Sequence, residues 1–460
     1  MMNFDLVISG GTLVTASDTF QAEIGIQAGK IVAISSHLTA AEIVDARGLL
    51  VLPGAIDPHV HLEMPTPVAT SSDNWFTGTR AAACGGTTTV IDFVEPEPGE
   101  SLLHALDARR SQAESKAVID FSFHMTLDRV DDGTLSEIPL VIEAGLTSFK
   151  CYTTYSMRLD DDQLLGALAA VGKADGLTIV HAENDAIVNR LRAEFIAAGK
   201  TEPRFHPLSR PVESEGEAVE RVLALAKTAQ APVLIVHVST QLGMDAIKRA
   251  QSRGQTAFGE TCPQYLLLTD DYFAAPGFEG AKFICSPPLR TSMDQAALWH
   301  GLESGVFQVV GTDHCPFFYD GTKNLGRSLD DPPPFTQIPG GMPGIEARPA
   351  LLYTYGVRTG RLTLNQWVDV CSTGPGRVYD LYPRKGALIP GADADIVLFD
   401  PEKKVTLTTD VLHENVDYTP YKGFELTGYP VKTFLRGQLI AENGEFIKRK
   451  WPGQYLRRTK

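Results

Sequence analysis

The chain has 460 residues, more than one hydrophobic core usually holds, so a large domain with a smaller module is expected. Its 43% hydrophobic and 21% charged content is ordinary globular usage and excludes a disordered chain, while a net charge of -15 excludes a nucleic-acid binder, which needs a basic footprint. No apolar run reaches the roughly 18 residues of a membrane span, and the six cysteines (Cys84, Cys151, Cys262, Cys285, Cys315, Cys371) form no C-x-x-C pair, which fits reduced thiols in a cytoplasm.

The opening MMNFDLVISGG reads as a strand and turn rather than a targeting segment. FDLVISGG, GTLVTASD, AEIGIQAGK and IVAISS, punctuated by Gly and Asp, predict an antiparallel sheet over the first fifty residues. Eight apolar strand candidates follow: AIDPHVHL, TTTVIDFV, VIDFSFHM, LTSFKCYT, LTIVHAE, VLIVHVS, QTAFGETC and VFQVVGTD. Segments such as SLLHALDARRSQAESK, DDQLLGALAAVGKADG, EGEAVERVLALAKTAQA and QLGMDAIKRAQSRG lie between them with apolar positions at helical spacing. This alternation predicts an α/β chain built on a (β/α)8 TIM-like barrel. ADIVLFDP and VKTFLRGQLIAENGEF return to short strands, so residues 1-53 plus 380-445 are expected to form a small β-sandwich domain made by both termini. Residues 54-379 then form the barrel, and 446-460 a C-terminal tail. The basic residues of that tail (Lys448, Arg449, Lys450, Arg457, Arg458, Lys460) are expected at a solvated end or a subunit contact.

His59, His61, Lys150, His181, His237 and Asp313 all stand at the ends of strand candidates. Alternate residues of a strand share a face, so His59 and His61 can grip one cation while Val60 points away. Imidazole with carboxylate suits zinc, and four histidines with an aspartate overfill a single catalytic centre. They fit two metals about 3.5 to 4 Å apart. The plainer alternative is a set of satisfied polar groups at strand ends, with Lys150 in an ordinary salt bridge. The barrel favours the metal reading, because catalytic groups of such barrels gather at the C-terminal ends of the strands. His37, His104, His124, His206, His300 and His413 are read as packing or loop residues, and Glu183 and His314 as supports of neighbouring ligands. Cys315 is placed near the mouth.

The HVH, Lys, His, His and Asp series, with GGTTTVIDF, SFKCYTTY, VHAEN, ETCPQYL, SPPLR, GTDHCPF and GADADIVLFDP, resembles the dihydropyrimidinase and hydantoinase group of the amidohydrolase superfamily over nearly the whole chain. The resemblance implies that His59, His61 and Asp313 hold one Zn2+ and His181 and His237 a second, bridged by carboxylated Lys150 and hydroxide. It implies Asp313 as the catalytic acid and base and Tyr155 as donor to the developing oxyanion. It assigns the main chains of Ser286 and Gly340 to the substrate's cyclic amide, and Met64, Tyr152 and Leu159 to the cavity for its exocyclic group. In IPGGMPG, Gly340 replaces a customary asparagine, a departure from the pattern. The implied activity is hydrolytic opening of 5-substituted hydantoins or dihydropyrimidines to N-carbamoyl amino acids by a cytoplasmic homotetramer. Glu63, Met64 and Pro65 stand where dihydroorotase-like and allantoinase-like relatives carry arginine or asparagine, which favours an uncharged substrate side; those two activities are the closer alternatives. A non-catalytic scaffold is the remoter one, since all six ligand positions are filled.

Overall fold

The computed structural model describes residues 4–447 and 453–459. Eight parallel strands, Ala55–Asp57, Thr87–Val94, Asp120–Thr126, Ser148–Tyr152, Leu177–His181, Val233–Ile235, Ala257–Thr261 and Val309–Val310, hydrogen-bond in chain order into a nearly closed barrel. Thr312 N donates to Asp57 Oδ1 at 3.1 Å, and Val60 bridges to His314, drawing the last strand onto the first. Thr87–Val94 is buried along its whole length, as a strand covered on both faces must be. Helices Leu102–Glu114, Asp161–Lys173, Val212–Ala229 and Gln241–Ser252 follow barrel strands where the apolar spacing predicts them. Asp160 starts the second of these with a capping box, accepting from Gln163 N at 2.9 Å.

Several barrel strands are shorter than their apolar runs. The first ends at Asp57, because Pro58 has no N–H to continue the ladder. The sixth ends at Ile235 and the eighth at Val310, ahead of His237 and Asp313, whose left-handed backbones (φ 38 and 52) cannot extend a strand. His59, His61, His237 and Asp313 therefore sit on the loops just past the strands, whereas Lys150 and His181 lie within theirs. Gly311 lets this edge close: any side chain there would meet Glu260 Oε2 and His59 Cβ at 3.0 Å.

Strands from both ends of the chain form two further sheets. One pairs Lys30–Ser35, Glu23–Gln27, Leu6–Ser9 and Ile43–Asp45; the other runs from Glu445–Phe446 through Ile396–Thr406 and Leu50–Pro53 to Thr19–Gln21. Their shared core includes Ile8, Leu13, Ile24, Ile31, Val51, Ile396, Leu398 and Phe434. The N-terminal strands are not purely antiparallel as expected. Leu6–Ser9 pairs in parallel with Ile43–Asp45, and Thr12–Val14 with Leu50–Pro53, because strands destined for two sheets cannot all pair with their sequence neighbours. Buried Lys385 joins this module to the barrel, donating to Asp120 Oδ2 at 2.5 Å and Asp395 Oδ2 at 2.7 Å.

The C-terminal tail departs from expectation. Lys448, Arg449, Lys450 and Lys460 lie outside the described residues. Of the described tail, residues 453–459 fold against their own barrel, so Arg458 is not at a solvated end, while Arg457 stays exposed. Tyr455 bridges to Phe121, and Leu456 enters the cluster that fills the barrel with Ile91, Ile179 and Leu234. Arg458 is fully buried and donates to Ser122 Oγ, Ser148 Oγ and the Phe123 carbonyl. Charge alone predicts a solvated end, but donors pointing at strand-edge hydroxyls and a carbonyl are satisfied only inside. Ser148 Oγ also lies 2.6 Å from His124 Nδ1, and His124 Nε2 lies 2.8 Å from the Pro58 carbonyl. A hydrogen-bond path therefore runs from the tail through the barrel to the residue before His59. Arg458→Ala should leave these acceptors unpaired and cost on the order of 2 to 4 kcal/mol. A urea midpoint within error of wild type would show that the tail contributes nothing to stability.

Candidate active site

The mouth of the barrel opens into a cavity of about 690 Å³ lined by His59, His61, Met64, Lys150, Tyr152, Tyr155, His181, His237, Ser286, Asp313 and Gly340, among others. All of the sequence-predicted site residues are thus brought together except Leu159. Leu159 is 2% exposed, packs in the main core, and donates its N–H to the Tyr152 carbonyl, behind the wall rather than on it.

His59 Nε2 and His61 Nε2 approach Asp313 Oδ1 at 3.3 and 3.1 Å. The ligand atoms of these three residues all lie within 4.8 Å of one another. The ring centroids of His181 and His237 are 4.6 Å apart, and that of His237 is 5.4 Å from that of His59. His61 stacks on Phe93 at 4.6 Å, which fixes its plane. His59 Nε2, His61 Nδ1 and His237 Nδ1 are buried with no hydrogen-bond partner. Such orphaned nitrogens are costly unless something else takes their lone pairs. Burial also holds His61, His181 and His237 below the usual imidazole range, keeping them neutral as metal ligands must be. The donor set therefore fits divalent metal.

Carboxylates behind the cluster orient it. Glu260 Oε1 lies 2.6 Å from His59 Nδ1 and accepts from His237 N at 3.1 Å. Glu183 Oε2 lies 2.7 Å from His181 Nε2 and is held by Arg210. The contacts to His59 and His181 each occupy one ring nitrogen and leave the other for the site, while His237 is held by its main-chain N–H. His314 turns the opposite way, to Asp73 Oδ2 at 3.0 Å, while its Nδ1 accepts from Gly344 N at 3.1 Å. Glu183 thus supports the predicted ligand His181 as expected, whereas the His314 side chain holds Asp73 and the Gly344 loop rather than a ligand. Glu260 was not singled out in the sequence, although GETC at the end of a strand candidate carries the same signal as the predicted ligands.

Lys150 is 1% exposed, and no carboxylate among the described residues comes within ion-pair distance of its amine. Its Nζ lies 5.1 Å from the ring of Phe93 and 5.2 Å from that of Tyr152. Burial pulls its pKa down to about 8, against the pull of Asp313, Glu260 and Glu95. An ordinary salt bridge is thus not the state of this lysine. Burial raises Asp313 as well, but His59, His61 and Lys150 outweigh it and hold the carboxyl below its usual range.

On the far wall, Tyr155 takes a left-handed backbone (φ 73), a strained conformation for a tyrosine that aims its ring at His181, 5.1 Å away. Its hydroxyl bonds to Ser286 and Arg210, and burial keeps it protonated. The loops carrying Ser286 and Gly340 are tied by Gly341 N donating to the Ile284 carbonyl at 2.9 Å. Buried Lys323 clamps the same pair, donating to the carbonyls of Ile284 at 3.3 Å and Pro339 at 3.1 Å. No sequence signal marked Lys323, because its partners are carbonyls distant in sequence. A side chain at Gly340 would face open space, with Ser286 Oγ nearest at 3.8 Å, whereas one at Gly341 (φ 151) would meet the Cys315 carbonyl at 2.2 Å.

A parallel eight-stranded barrel gathering neutral histidines, an aspartate and a buried lysine at its mouth defines a metal-dependent barrel hydrolase. The chain belongs to the amidohydrolase family, which it matches over residues 50–440. It is 42% identical to the D-hydantoinase of Geobacillus stearothermophilus, covering 99% of this chain and 96% of that one. It is 43% identical to the D-phenylhydantoinase of Escherichia coli K12, over 98% of each. The crystal structure of dihydropyrimidinase from Brevibacillus agri NCHU1002 superposes with a TM-score of 0.96 at 43% identity, over 98% of both chains. No helix among the described residues is long and apolar enough to cross a membrane.

Proposed function

We propose that the cavity opens 5-substituted hydantoins or dihydropyrimidines to N-carbamoyl amino acids with two zinc ions. The chain is a cyclic amide hydrolase of the hydantoinase and dihydropyrimidinase type. The observation that carries the finer reading is the cluster of buried imidazoles with orphaned nitrogens around Asp313 and Lys150 in one cavity sized for a small molecule. In this reading His59, His61 and Asp313 hold one ion and His181 and His237 the other. Lys150, carboxylated by carbon dioxide, offers an oxygen ligand to each; an amine without a carboxylate partner is free to react so. When bound, such ions lower the pKa of water and polarise the scissile carbonyl.

The chain's own groups do the rest. Asp313 accepts the proton of the attacking water and returns it to the ring nitrogen as the C–N bond breaks. Tyr155 donates its hydroxyl hydrogen to the oxyanion as charge develops. The Ser286 and Gly340 main chains hold the amide, and Met64 and Tyr152 shape the space for the exocyclic group. We also read residues 1-53 plus 380-445 as one domain and 54-379 as the catalytic one, in a cytoplasmic homotetramer.

The test is a side-by-side assay of dihydrouracil, a phenyl-substituted hydantoin, allantoin and dihydroorotate, before and after chelation and zinc reloading. The first two should open at least about a hundredfold faster than the last two, since Glu63, Met64 and Pro65 offer no grip for a carboxylate or ureido group. Chelation should abolish turnover and zinc restore it. Allantoin or dihydroorotate as best substrate, or undiminished activity without metal, refutes the assignment.

A further inference from the structure

Around the mouth, almost every carboxylate is paired. Asp92 takes Arg109, Glu183 takes His181 and Arg210, Glu260 takes His59, Asp185 takes Arg158 and Thr154, and Asp73 takes His314. Glu95 is the exception. It lines the cavity directly after the second barrel strand, and no described residue gives it a hydrogen bond or an ion pair. Two places along from Phe93, it continues the face on which Phe93 stacks against His61, so its carboxyl points to the mouth. It belongs to neither group of residues whose ligand atoms cluster closely enough to share an ion, so the metal reading does not use it.

It lines the same cavity as Met64 and Tyr152, the residues assigned to the exocyclic group, and as Cys315. The lining arginines offer it nothing: Arg210 and Arg158 are committed to Glu183 and Asp185, and Arg192 donates to the Thr336 carbonyl at 3.0 Å. Burial raises its carboxyl to about 7, joined by repulsion from Asp92 and opposed by Arg109 and Lys150. A carboxyl held against a largely apolar wall without a partner is an acceptor awaiting a donor.

We infer that Glu95 is a specificity residue that receives the exocyclic group of the cyclic amide, and that this chain favours rings whose substituent ends in a cationic ammonium or guanidinium over isosteric neutral ones. The apolar character of Met64 and Tyr152 then accommodates the stem of such a substituent, with Glu95 at its end. A charge-assisted contact to a carboxylate inside a cavity discriminates strongly, because the neutral competitor leaves the carboxyl unpaired.

The inference rests on the cyclic amide hydrolase reading and is separable from it. Zinc-loaded wild type, Glu95→Gln and Glu95→Leu are assayed on a 5-(aminoalkyl)hydantoin and on the 5-alkylhydantoin of equal length, with dihydrouracil as reference for wild type. The ratio of kcat/KM, amino over alkyl, should be about tenfold or more in wild type, carried mainly by KM. It should fall to near one in Glu95→Gln and below one in Glu95→Leu. A ratio unchanged within about twofold across the three proteins overturns the role of Glu95, whereas failure of wild type to open any of the three rings overturns the underlying function instead. Glu95→Gln preserves shape, so it decides the matter even if the leucine variant fails to fold.

Discussion

Lys150→Ala should reduce bound zinc from two ions per chain to one or fewer and lower kcat/KM at least about a thousandfold, roughly 4 kcal/mol of barrier. The reasoning runs from burial. Lys150 sits at 1% exposure in the middle of the fourth barrel strand, between the His59 and His181 sides of the mouth, and no described carboxylate pairs with its amine. An unpaired buried ammonium is expensive, so the amine must lose its charge or react. A carbamate satisfies both demands, replacing a cation among cation-binding groups with an anionic oxygen ligand. Without it, the histidines face two dications with too little negative charge. Elemental analysis and steady-state kinetics on the same preparation test this. Added short carboxylic acids should restore part of both readings by placing oxygen ligands in the vacated space. Two zincs and normal turnover in Lys150→Ala would remove the bridge from the mechanism.

Asp313→Asn should leave the fold and most of the metal in place while lowering kcat about a hundredfold to ten-thousandfold, with little change in KM. Asparagine keeps the shape of the side chain and tolerates the left-handed backbone at this position, φ 52, where most substitutions add strain. What it loses is the capacity to take a proton. In the wild type the carboxyl is held below its usual range and so is ionised at neutral pH, ready to accept. The check is kinetics on zinc-saturated protein, with a thermal melt as control for folding. Turnover within tenfold of wild type would assign the proton transfer to another group.

The predicted ligand set was legible because the barrel imposes a rule on sequence. Each parallel strand is buried on both faces, so it reads as an apolar run, and a polar residue closing such a run has one sheltered address, the mouth. AIDPHVHL, LTIVHAE and VFQVVGTD carry that signal openly. Glu260 carried it too, inside QTAFGETC, but a glutamate two residues before a cysteine has no distinctive spacing. Lys323 and Arg458 were illegible for a different reason. Their partners are main-chain carbonyls and serine hydroxyls scattered over distant segments, and nothing local distinguishes them from surface cations. Leu159 illustrates the converse, since a wall residue and the residue packed behind it look alike in sequence.

By itself the sequence determined the alternation of strand and helix, the return to short strands near the C-terminus, and the identity of the donors, because periodicity and residue type are local properties of the chain. The tertiary structure alone decided the rest. It set the loop positions of His59, His61, His237 and Asp313, the ring nitrogens held by Glu260 and Glu183, the insertion of Arg458 into the barrel, and the solitary state of Glu95. Each of these depends on which groups distant in the chain share one low-dielectric space, and whether a buried charge finds a partner there is settled only when the barrel closes.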